Sequence, residues 1–321
     1  MRLLSLLAVV AILVVSCAKD PVTTGGSGGA PGTGGKTSSG GVTGTGGKTG
    51  TGGATGTGGK TGTGGTSQPG SIDCTDVSSD TYSTSDPYGS TQITLDNNPK
   101  KTYYFQANWW GTPYYNESET VNGLGFTITN PNSTPSSSNN PLGFPSIFIG
   151  AYQTRATQGS GLPKQVSSLT NVFTIFSTNA DSKGTSNYNA TYDVWFTQTS
   201  ALVTGTNPGA GGAYLMVWLF PPTDRRPNGS IKAGGSVVSG VKGGWDVWYG
   251  PNPADNLPCV SYVSNSTLGS LEFDLNYFIQ DAVQNNYGIT SSQYLSIIFA
   301  GFEVWGGGDG LKINNFCANV K

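Results

Sequence analysis

The sequence of 321 residues contains no histidine and few carboxylates. Asp and Glu together number 18, and only four of them are glutamates: Glu117, Glu119, Glu272 and Glu303. The absence of His excludes Ser-His-Asp and Cys-His nucleophilic systems in their usual form, and it excludes His-ligated zinc, copper and iron sites. Chemistry in this chain must depend on carboxylates, tyrosines and a few thiols, and the sequence predicts neither a metal site nor a cofactor.

Charged side chains are scarce as well. Lys and Arg number 16 against 18 acids, so the net charge is −2, and charged residues make up 11% of the chain. A soluble domain usually carries roughly a quarter. No basic stripe is present, so no nucleic-acid partner is predicted. Gly, Ser, Thr and Asn replace the missing charges, and aromatic residues also reach 11%, which is typical of a secreted β-protein.

The N-terminus predicts export. Arg2 precedes an apolar run over 3–15, which is too short to span a bilayer because a spanning helix needs roughly 20 residues. Residues 1–16 are therefore predicted to be a signal peptide. Cys17 follows where bacterial lipoprotein signals place the lipidated cysteine, and Ala18 after it favours the outer membrane by resemblance. The alternative is ordinary cleavage near Ser16. We expect an outer-membrane lipoprotein or an extracellular protein of a bacterial cell envelope.

Residues 17–70 read as a lipidated cysteine followed by a disordered tether. A Thr/Gly unit repeats every six residues over 43–66. A repeat of this length can build a β-helix, but only with an apolar residue in each unit, and none is present. The segment cannot offset its ordering entropy, so disorder is expected. The lipid on Cys17 would then be the only attachment of the protein to a membrane.

Residues 71–321 are predicted to form one all-β domain. Short β-branched or alternating runs recur between spacers rich in Gly, Pro, Asn and Ser, as in an antiparallel β-sandwich or jelly roll. Helical spacing interrupts this pattern once, over 271–288, with Asp274 as the N-cap and Gly288 at the end. We expect one helix packed on the sandwich, and a monomer.

Three cysteines remain in the predicted domain, and export permits a disulfide. Cys259 and Cys317 lie in strand-like segments, while Cys74 lies at the edge of the domain. The sequence favours a Cys259–Cys317 bridge but leaves the connectivity open.

An acid–aromatic pattern occurs three times, and i and i+2 in a strand share one face. The pairs are Asp193 and Trp195, Asp246 and Trp248, and Glu303 and Trp305. Sugars stack on aromatic rings, and glycosidic cleavage needs two carboxyl groups. An apolar wall raises the pKa of a carboxyl and keeps it protonated for acid duty. The alternative is that the tryptophans fill the core and the acids face solvent. Glu117 and Glu119 are expected in a solvated loop.

Six motifs in order resemble glycoside hydrolase family 12, which comprises endo-β-1,4-glucanases and xyloglucanases with a concanavalin-like jelly roll and one helix. The motifs are "ANWWG", "ATYDVWF", "YLMVWL", "WDVWYGPN", "FDLNYFIQDAVQNNYGITSSQYL" and "AGFEVW". The resemblance implies that Glu303 is the general acid/base and that Asp193 assists the nucleophile. It also implies a β-1,4-glucan or xyloglucan as the polysaccharide partner. The predicted substrate-binding residues are Asn108, Trp110, Trp195, Met216, Trp218, Trp248 and Trp305.

One departure concerns the nucleophile. The family's nucleophilic Glu opens the strand that "YLMVWL" resembles, and Tyr214 stands there. Three accounts remain open. Tyr214 itself attacks with Asp193 as its activator; or Asp193 and Glu303 work as an inverting pair; or the cleft binds a β-glucan on the cell surface without cutting it.

Overall fold

The computed structural model describes most of the predicted domain. The described residues are 18–19, 74, 81–95, 100–111, 118–129, 136, 140–180, 187–220, 222–223 and 225–321. The signal peptide, Cys17 and nearly all of the tether were predicted for residues outside these ranges. Ala18–Lys19, within the predicted tether, forms a two-residue antiparallel pair with Arg226–Pro227.

Strands dominate the described residues, and one α-helix and one short 3-10 helix accompany them. The strands are β1 (Ala18–Lys19), β2 (Thr81–Thr84), β3 (Ser90–Leu95), β4 (Lys101–Gln106), β5 (Ser118–Asn122), β6 (Gly125–Thr129), β7 (Ser146–Tyr152), β8 (Arg155–Ala156), β9 (Lys164–Gln165), β10 (Val172–Thr178), β11 (Tyr188–Thr197), β12 (Ala213–Trp218), β13 (Arg226–Pro227), β14 (Ser230–Ser236), β15 (Trp245–Pro251), β16 (Pro258–Ser264), β17 (Ser270–Asp274), β18 (Tyr294–Val304) and β19 (Lys312–Val320). The 3-10 helix spans Val166–Ser168, and helix α1 spans Asn276–Gln284.

Two sheets form the sandwich. The smaller has six strands in the order β17–β10–β19–β6–β5–β2. The larger has eleven, nine of them in the order β14–β15–β16–β12–β11–β18–β7–β4–β3, with β8 and β9 paired to β7 and β18. Pairing is antiparallel except between β12 and β16, which run parallel. The predicted all-β sandwich with one helix is confirmed.

The core lies between the sheets and is built by strand alternation. In β11, every second side chain from Tyr188 to Phe196 points into it and is buried. Tyr192 packs edge-on against Phe176 of the smaller sheet, with ring centroids 5.1 Å apart, and donates a hydrogen bond to Thr174 at 3.0 Å. Each large side chain buried in this way contributes about 1.5–3 kcal/mol.

Helix α1 is shorter than the predicted helical stretch. It begins at Asn276, because Ser270–Asp274 pairs with β10 as a strand, so tertiary pairing overrides the helical spacing of the first residues. Asp274 lies one residue before the cap position, and its Oδ1 accepts the N–H groups of Asn276 and Val172. The helix buries Phe278, Ile279 and Ala282 against the core.

The favoured disulfide was wrong. Cys317 of β19 is bonded to Cys74, with the Cα atoms 6.2 Å apart and a sequence separation of 243. Cys317 belongs to the core between the sheets, whereas Cys259 belongs to an apolar cluster on the other face of the larger sheet. The larger sheet therefore separates the two cysteines that the sequence favoured.

Glu119 is not in a solvated loop, as the sequence had predicted, while Glu117 lies outside the described residues. Glu119 is part of β5, is 1% exposed and accepts a hydrogen bond from the indole nitrogen of Trp109. Burial raises the pKa of Glu119 to about 7, and the bond to Trp109 offsets part of that shift. Trp109 thus faces the core, and its neighbour Trp110 packs against the opposite face of the larger sheet.

Among the described residues, no helix has the length and apolar character needed to span a membrane.

Candidate active site

The face of the larger sheet that points away from the core carries the candidate site, and we call it the cleft face. It receives the side chains of β11, β12, β16 and β18 that alternate with the core residues. Its apolar members are Phe144, Phe148, Tyr152, Trp195, Val203, Tyr214, Met216, Trp218, Cys259, Val263, Ile297, Phe299 and Trp305, with Tyr104, Trp110, Trp248 and Leu257 packed against them. Every aromatic residue and the Met predicted to bind substrate belongs to this cluster.

Glu303 lies on the cleft face near the end of β18, directly opposite Asn189 of β11. The Asn189 side-chain amide donates to Glu303 Oε2 at 2.6 Å, and the Glu303 N–H donates to Asn189 Oδ1 at 3.2 Å. Glu303 is 0% exposed, and its Oε1 has no hydrogen-bond partner among the described residues. A single side chain therefore fixes both the backbone and one carboxyl oxygen of Glu303.

The environment keeps the Glu303 carboxyl protonated. Burial raises its pKa to about 8, the hydrogen bond from Asn189 offsets part of that rise, and the charge of Asp193 adds to it. A carboxyl with a pKa above 7 carries its proton at neutral pH, as a general acid must.

Asp193 lies four residues from Asn189 along β11, also on the cleft face and opposite Met216 of β12. It is 6% exposed, and its Oδ1 has no hydrogen bond within the described part of the chain. Burial raises the pKa of Asp193 to about 7, the Trp195 indole offsets part of this, and the charge of Asp255 raises it further. Asp193 is therefore electrostatically linked both to Glu303 and to Asp255.

Tyr214 opens the cleft-face row of β12 opposite Trp195, with the two rings edge to face and their centroids 5.6 Å apart. Its hydroxyl donates to Asp255 Oδ2 at 2.5 Å. Burial raises the pKa of Tyr214, and the hydrogen bond and charge of Asp255 raise it further. The phenol stays neutral, so Tyr214 is a hydrogen-bond donor rather than an anion.

Tryptophans line the same face around the acids. The rings of Trp218 and Trp305 lie 6.4 Å apart, and the Arg225 guanidinium lies 5.4 Å above the Trp305 ring. Trp248 and Trp110 are partly buried at the margin of this cluster. Of the three acids in the acid–aromatic pairs, Asp246 differs in its contacts. Its Oδ1 accepts a hydrogen bond from the N–H of Gly235 at 2.9 Å.

Asn108 joins the site through a short bridge. Its backbone has a left-handed φ of 54°, which Asn tolerates, and its carbonyl accepts the N–H of Phe144 at 3.0 Å. Gly143 is bridged to Trp109 on one side and to Val304, the neighbour of Glu303, on the other. A small cavity next to Asn108 is lined by Tyr88, Gln106, Asn108, Tyr152, Gln153 and Arg155.

Buried polar atoms without a hydrogen-bond partner concentrate on the cleft face. In the described ranges they include Asn108 Nδ2, Tyr152 Oη, Asp193 Oδ1, Trp195 Nε1, Trp218 Nε1 and Glu303 Oε1. An unpaired buried polar group costs about 1–3 kcal/mol, so a protein retains a row of them only with a reason. A ligand rich in hydroxyl groups can satisfy donors and acceptors of this kind.

Among the described residues, no group of three or more His, Cys, Asp or Glu side chains is placed to hold a metal ion. The arrangement instead offers a protonated carboxyl, further acids and aromatic surfaces, which are the requirements of glycoside cleavage.

The family model for glycosyl hydrolase family 12 matches residues 101–321. This chain belongs to glycoside hydrolase family 12. Similar sequences include Endoglucanase S of Pectobacterium parmentieri, 29% identical over 231 residues that span 68% of this chain and 82% of the relative. Probable cellulase Cel12b of Mycobacterium tuberculosis is 30% identical over 51% of this chain and 99% of its own length. A xyloglucan-specific endo-beta-1,4-glucanase A of Emericella nidulans is 32% identical over 37% of this chain and 50% of the relative.

Solved structures agree with that membership. Endoglucanase cel12A from Rhodothermus marinus superposes with a TM-score of 0.60 at 28% identity, covering 75% of this chain and 98% of the other. A structure from a comparison of family 12 glycoside hydrolases gives a TM-score of 0.62 at 30% identity over 75% of this chain and 99% of the other. The protein is a glycoside hydrolase of family 12.

Two residues of this family 12 site were missed by sequence reasoning. Asn189 stands four residues before Asp193 in β11, so alternation predicts that both side chains lie on the same face. Its hydrogen bond to Glu303 was not predictable, because it depends on the register between β11 and β18. Asp255 lies in the turn between β15 and β16, where no periodicity indicates the direction of a side chain.

Proposed function

We propose that this family 12 domain hydrolyses internal β-1,4 bonds of a β-glucan or xyloglucan, with Glu303 as the general acid. The observation that carries the proposal is the Glu303 carboxyl itself. It is buried among aromatic rings, has a pKa raised to about 8, and is held through one oxygen by Asn189 while the other oxygen is unpaired. Oε1 is then the atom that donates a proton to the glycosidic oxygen.

The cleft face supports a glucan as substrate. Trp110, Trp248 and the ring of Tyr104 lie at its margin, where sugar rings can stack, and unpaired donors and acceptors lie between them. Relatives named as endoglucanases, cellulases and xyloglucan-specific glucanases match this chain, which favours a β-1,4-linked backbone. Glu303 has no exposed surface, so neighbouring groups must move before a glycan reaches its Oε1.

Asp193 and Tyr214 complete the proposed catalytic set. Asp193 contributes a buried charge that helps keep the Glu303 proton in place. Tyr214 occupies the start of β12, where family resemblance leads us to expect the nucleophilic Glu. The second carboxylate of the reaction must therefore come from elsewhere.

Turnover of soluble polysaccharides by the purified protein tests this proposal. Wild type, Glu303→Gln and Glu272→Gln are compared on carboxymethylcellulose, xyloglucan and mixed-linkage glucan by release of reducing ends. Loss of the general acid should reduce kcat by about 10²–10⁴-fold. Glu272 is exposed on β17 and serves as the matched control, with unchanged activity expected. Equal rates for wild type and Glu303→Gln would refute the role of Glu303.

A second function, glycan binding without cleavage, is favoured by one observation. The strand position of the nucleophile carries a neutral phenol rather than a carboxylate. Retardation of the protein in gels that contain β-glucan, lost in Trp110→Ala, combined with no detectable turnover of any of the three glycans, would establish binding as the function.

Location at the cell surface also stays a proposal. Cys17 lies outside the described residues, and its lipidation is proposed from the sequence alone. Metabolic labelling with a radioactive fatty acid should label wild type and not Cys17→Ser, and the variant should be found in the medium. A monomer, likewise proposed, should elute from a calibrated column near the mass of one chain.

A further inference from the structure

The hydroxyl of Tyr214 has a charged partner that sequence motifs do not reveal. Its Oη lies 2.5 Å from Asp255 Oδ2. Asp255 comes from the turn between β15 and β16 rather than from β11 or β12. A carboxylate thus stands beside the position from which the strand carboxylate is missing.

The turn is built to hold Asp255 in place. Asn252, which is 1% exposed, accepts the N–H of Asn256 through its carbonyl, at 2.8 Å, and the N–H of Ala254 through its side chain, at 3.2 Å. The second oxygen of Asp255 accepts the N–H of Leu257 at 3.1 Å. Leu257 in turn packs on the cleft-face cluster. Both oxygens of Asp255 are therefore oriented, while the residue stays partly exposed.

The Asp255 carboxylate acts electrostatically on two neighbours of the cleft face. Its charge raises the pKa of Asp193 and, with its hydrogen bond, that of Tyr214. The Glu303 carboxyl is protonated mainly because burial raises its pKa. The cluster then comprises a proton donor at one end and a carboxylate, fixed by a phenol, at the other.

We propose that Asp255 is the second catalytic carboxylate of this enzyme and acts as the general base of an inverting hydrolysis. This inference rests on the proposed function. Asp255 takes a proton from a water molecule, whose oxygen forms the new bond to the anomeric carbon. The bond from that carbon to the glycosidic oxygen breaks, and Glu303 gives its proton to the leaving oxygen. Protons then return to Glu303 and leave Asp255 through solvent.

The contact between Asp255 and the Tyr214 hydroxyl favours a base over a covalent nucleophile. A tyrosine side chain is longer than that of glutamate, and Asp255 is held beyond the Tyr214 hydroxyl, so its carboxylate lies farther from β12 than a carboxylate rooted at position 214. Inverting enzymes keep their carboxyls ~6.5–9.5 Å apart to admit a water, against ~5–5.5 Å in retaining ones. Tyr214 keeps its proton beside Asp255, which argues against direct attack by the phenol. In this arrangement Tyr214 is a positioning residue.

Kinetics of Asp255→Asn test the inference. An amide of the same shape should lower kcat by about 10²–10⁴-fold with KM within about threefold, since only proton transfer is removed. Asp86→Asn is the matched control, because Asp86 also accepts the N–H two residues ahead, at 2.9 Å, but lies exposed outside the cluster. Tyr214→Phe should lose less than Asp255→Asn. A thermal melt of each variant reports whether it folds.

Chemical rescue and product stereochemistry distinguish a catalytic role of Asp255 from a merely structural one. With an aryl β-cellotrioside, azide should restore cleavage by Asp255→Ala and give the α-glycosyl azide. Proton NMR of the wild-type reaction should show the α-anomer of the new reducing end first. Near-wild-type activity of Asp255→Asn, or first release of the β-anomer, would overturn the inference.

Failure of this inference is distinguishable from failure of the proposed function. If wild type cleaves glucan, Glu303→Gln does not, and Asp255→Asn does, only the role of Asp255 is refuted. If wild type cleaves neither the polysaccharides nor the aryl glycoside, both are refuted.

Discussion

The two faces of the larger sheet are built from alternate residues of the same strands, yet they differ in how many of their polar groups are hydrogen-bonded. On the core face Tyr192 donates to Thr174, Tyr262 donates to Asp281 and Tyr103 donates to a backbone carbonyl. On the cleft face, Asp193, Glu303 and two indoles leave polar atoms unpaired. Both faces are aromatic, so the difference lies in satisfied hydrogen bonds. Polar groups on the core face are mostly hydrogen-bonded within the protein, whereas several on the cleft face are left for a ligand to bind. Trp245 Nε1 is an exception, because it lies on the core face and has no hydrogen-bond partner among the described residues.

The largest effect is expected on the core face. Phe278 of α1 is 0% exposed and touches Trp245, Tyr262 and Phe273, with ring centroids 4.7–5.4 Å away. Phe278→Ala should lower the free energy of unfolding by about 3–5 kcal/mol, because it removes buried apolar surface and leaves a cavity. Urea denaturation measures the change. A loss below about 1 kcal/mol would show that the helix is not part of this core.

Removal of the Asn189 amide should mainly change catalysis. Asn189→Ala frees the Glu303 carboxyl to rotate and should reduce kcat by about 10–100-fold, since a positioned acid becomes a mobile one. The amide lowers the pKa of Glu303, so the high-pH limb of the rate profile should also move upward in the variant. Asn189→Asp would place a second acid there and does not serve as a control; Asn285→Ala, on the exposed end of α1, does. An unchanged profile would contradict the contact.

The buried acids make stability depend on pH. In the folded protein the pKa is raised from 4.5 to about 8 for Glu303 and from 4.5 to about 7 for Glu119. The folded state therefore binds these protons more tightly than the unfolded state. Stability is full below about pH 4.5 and declines as pH rises through 7–8, by up to about 1.4 kcal/mol per pH unit for each group. Urea midpoints from pH 4.5 to 8 measure this decline.

Substitution of Glu303 sharpens that measurement. Glu303→Gln should flatten the decline, because the amide does not titrate, and exposed Glu272→Gln should leave it unchanged. If the wild-type stability rises over this range, the raised values are wrong in sign.

The smallest effect is expected at the margin of the cleft face. Trp110→Ala removes one partly buried ring and should weaken glucan binding by about 0.5–1.5 kcal/mol, with little change in the unfolding midpoint. Tyr277→Ala, an exposed aromatic residue on α1, is the control. Affinity gels that contain xyloglucan report the difference. Equal retardation of the two variants would show that Trp110 is not part of the binding surface.

Strand positions and side-chain faces were predictable, because alternation follows from backbone geometry alone. The β-branched or alternating runs of the sequence form strands, as in β10, β11 and β18, and the acid–aromatic pairs of β11 and β18 share one face as their spacing predicts. The strands β2, β5, β14 and β17 and the four strands of two residues were missed, since short, polar or Gly-containing segments gain their order from neighbours rather than from propensity.

Contacts between distant segments were not predictable. The pairing of Asn189 with Glu303 depends on register, the Cys74–Cys317 bridge on which sheet holds each cysteine, and the position of Asp255 on the path of one turn. Glu119 looked like a loop residue because its neighbours in sequence are polar, but its partner Trp109 lies across the core. The substitution at Tyr214 was readable in the sequence, and its partner was not.

A protonated Glu303 on the cleft face is the central requirement for the proposed catalysis, and carbon-13 NMR of the glutamate carboxyls tests it directly. The chain has only four glutamates, so comparison of wild type with Glu303→Gln assigns the signal. We expect the Glu303 resonance to titrate near pH 8. A Glu303 carboxyl that titrates near 4.5, the ordinary value for glutamate, would contradict the account.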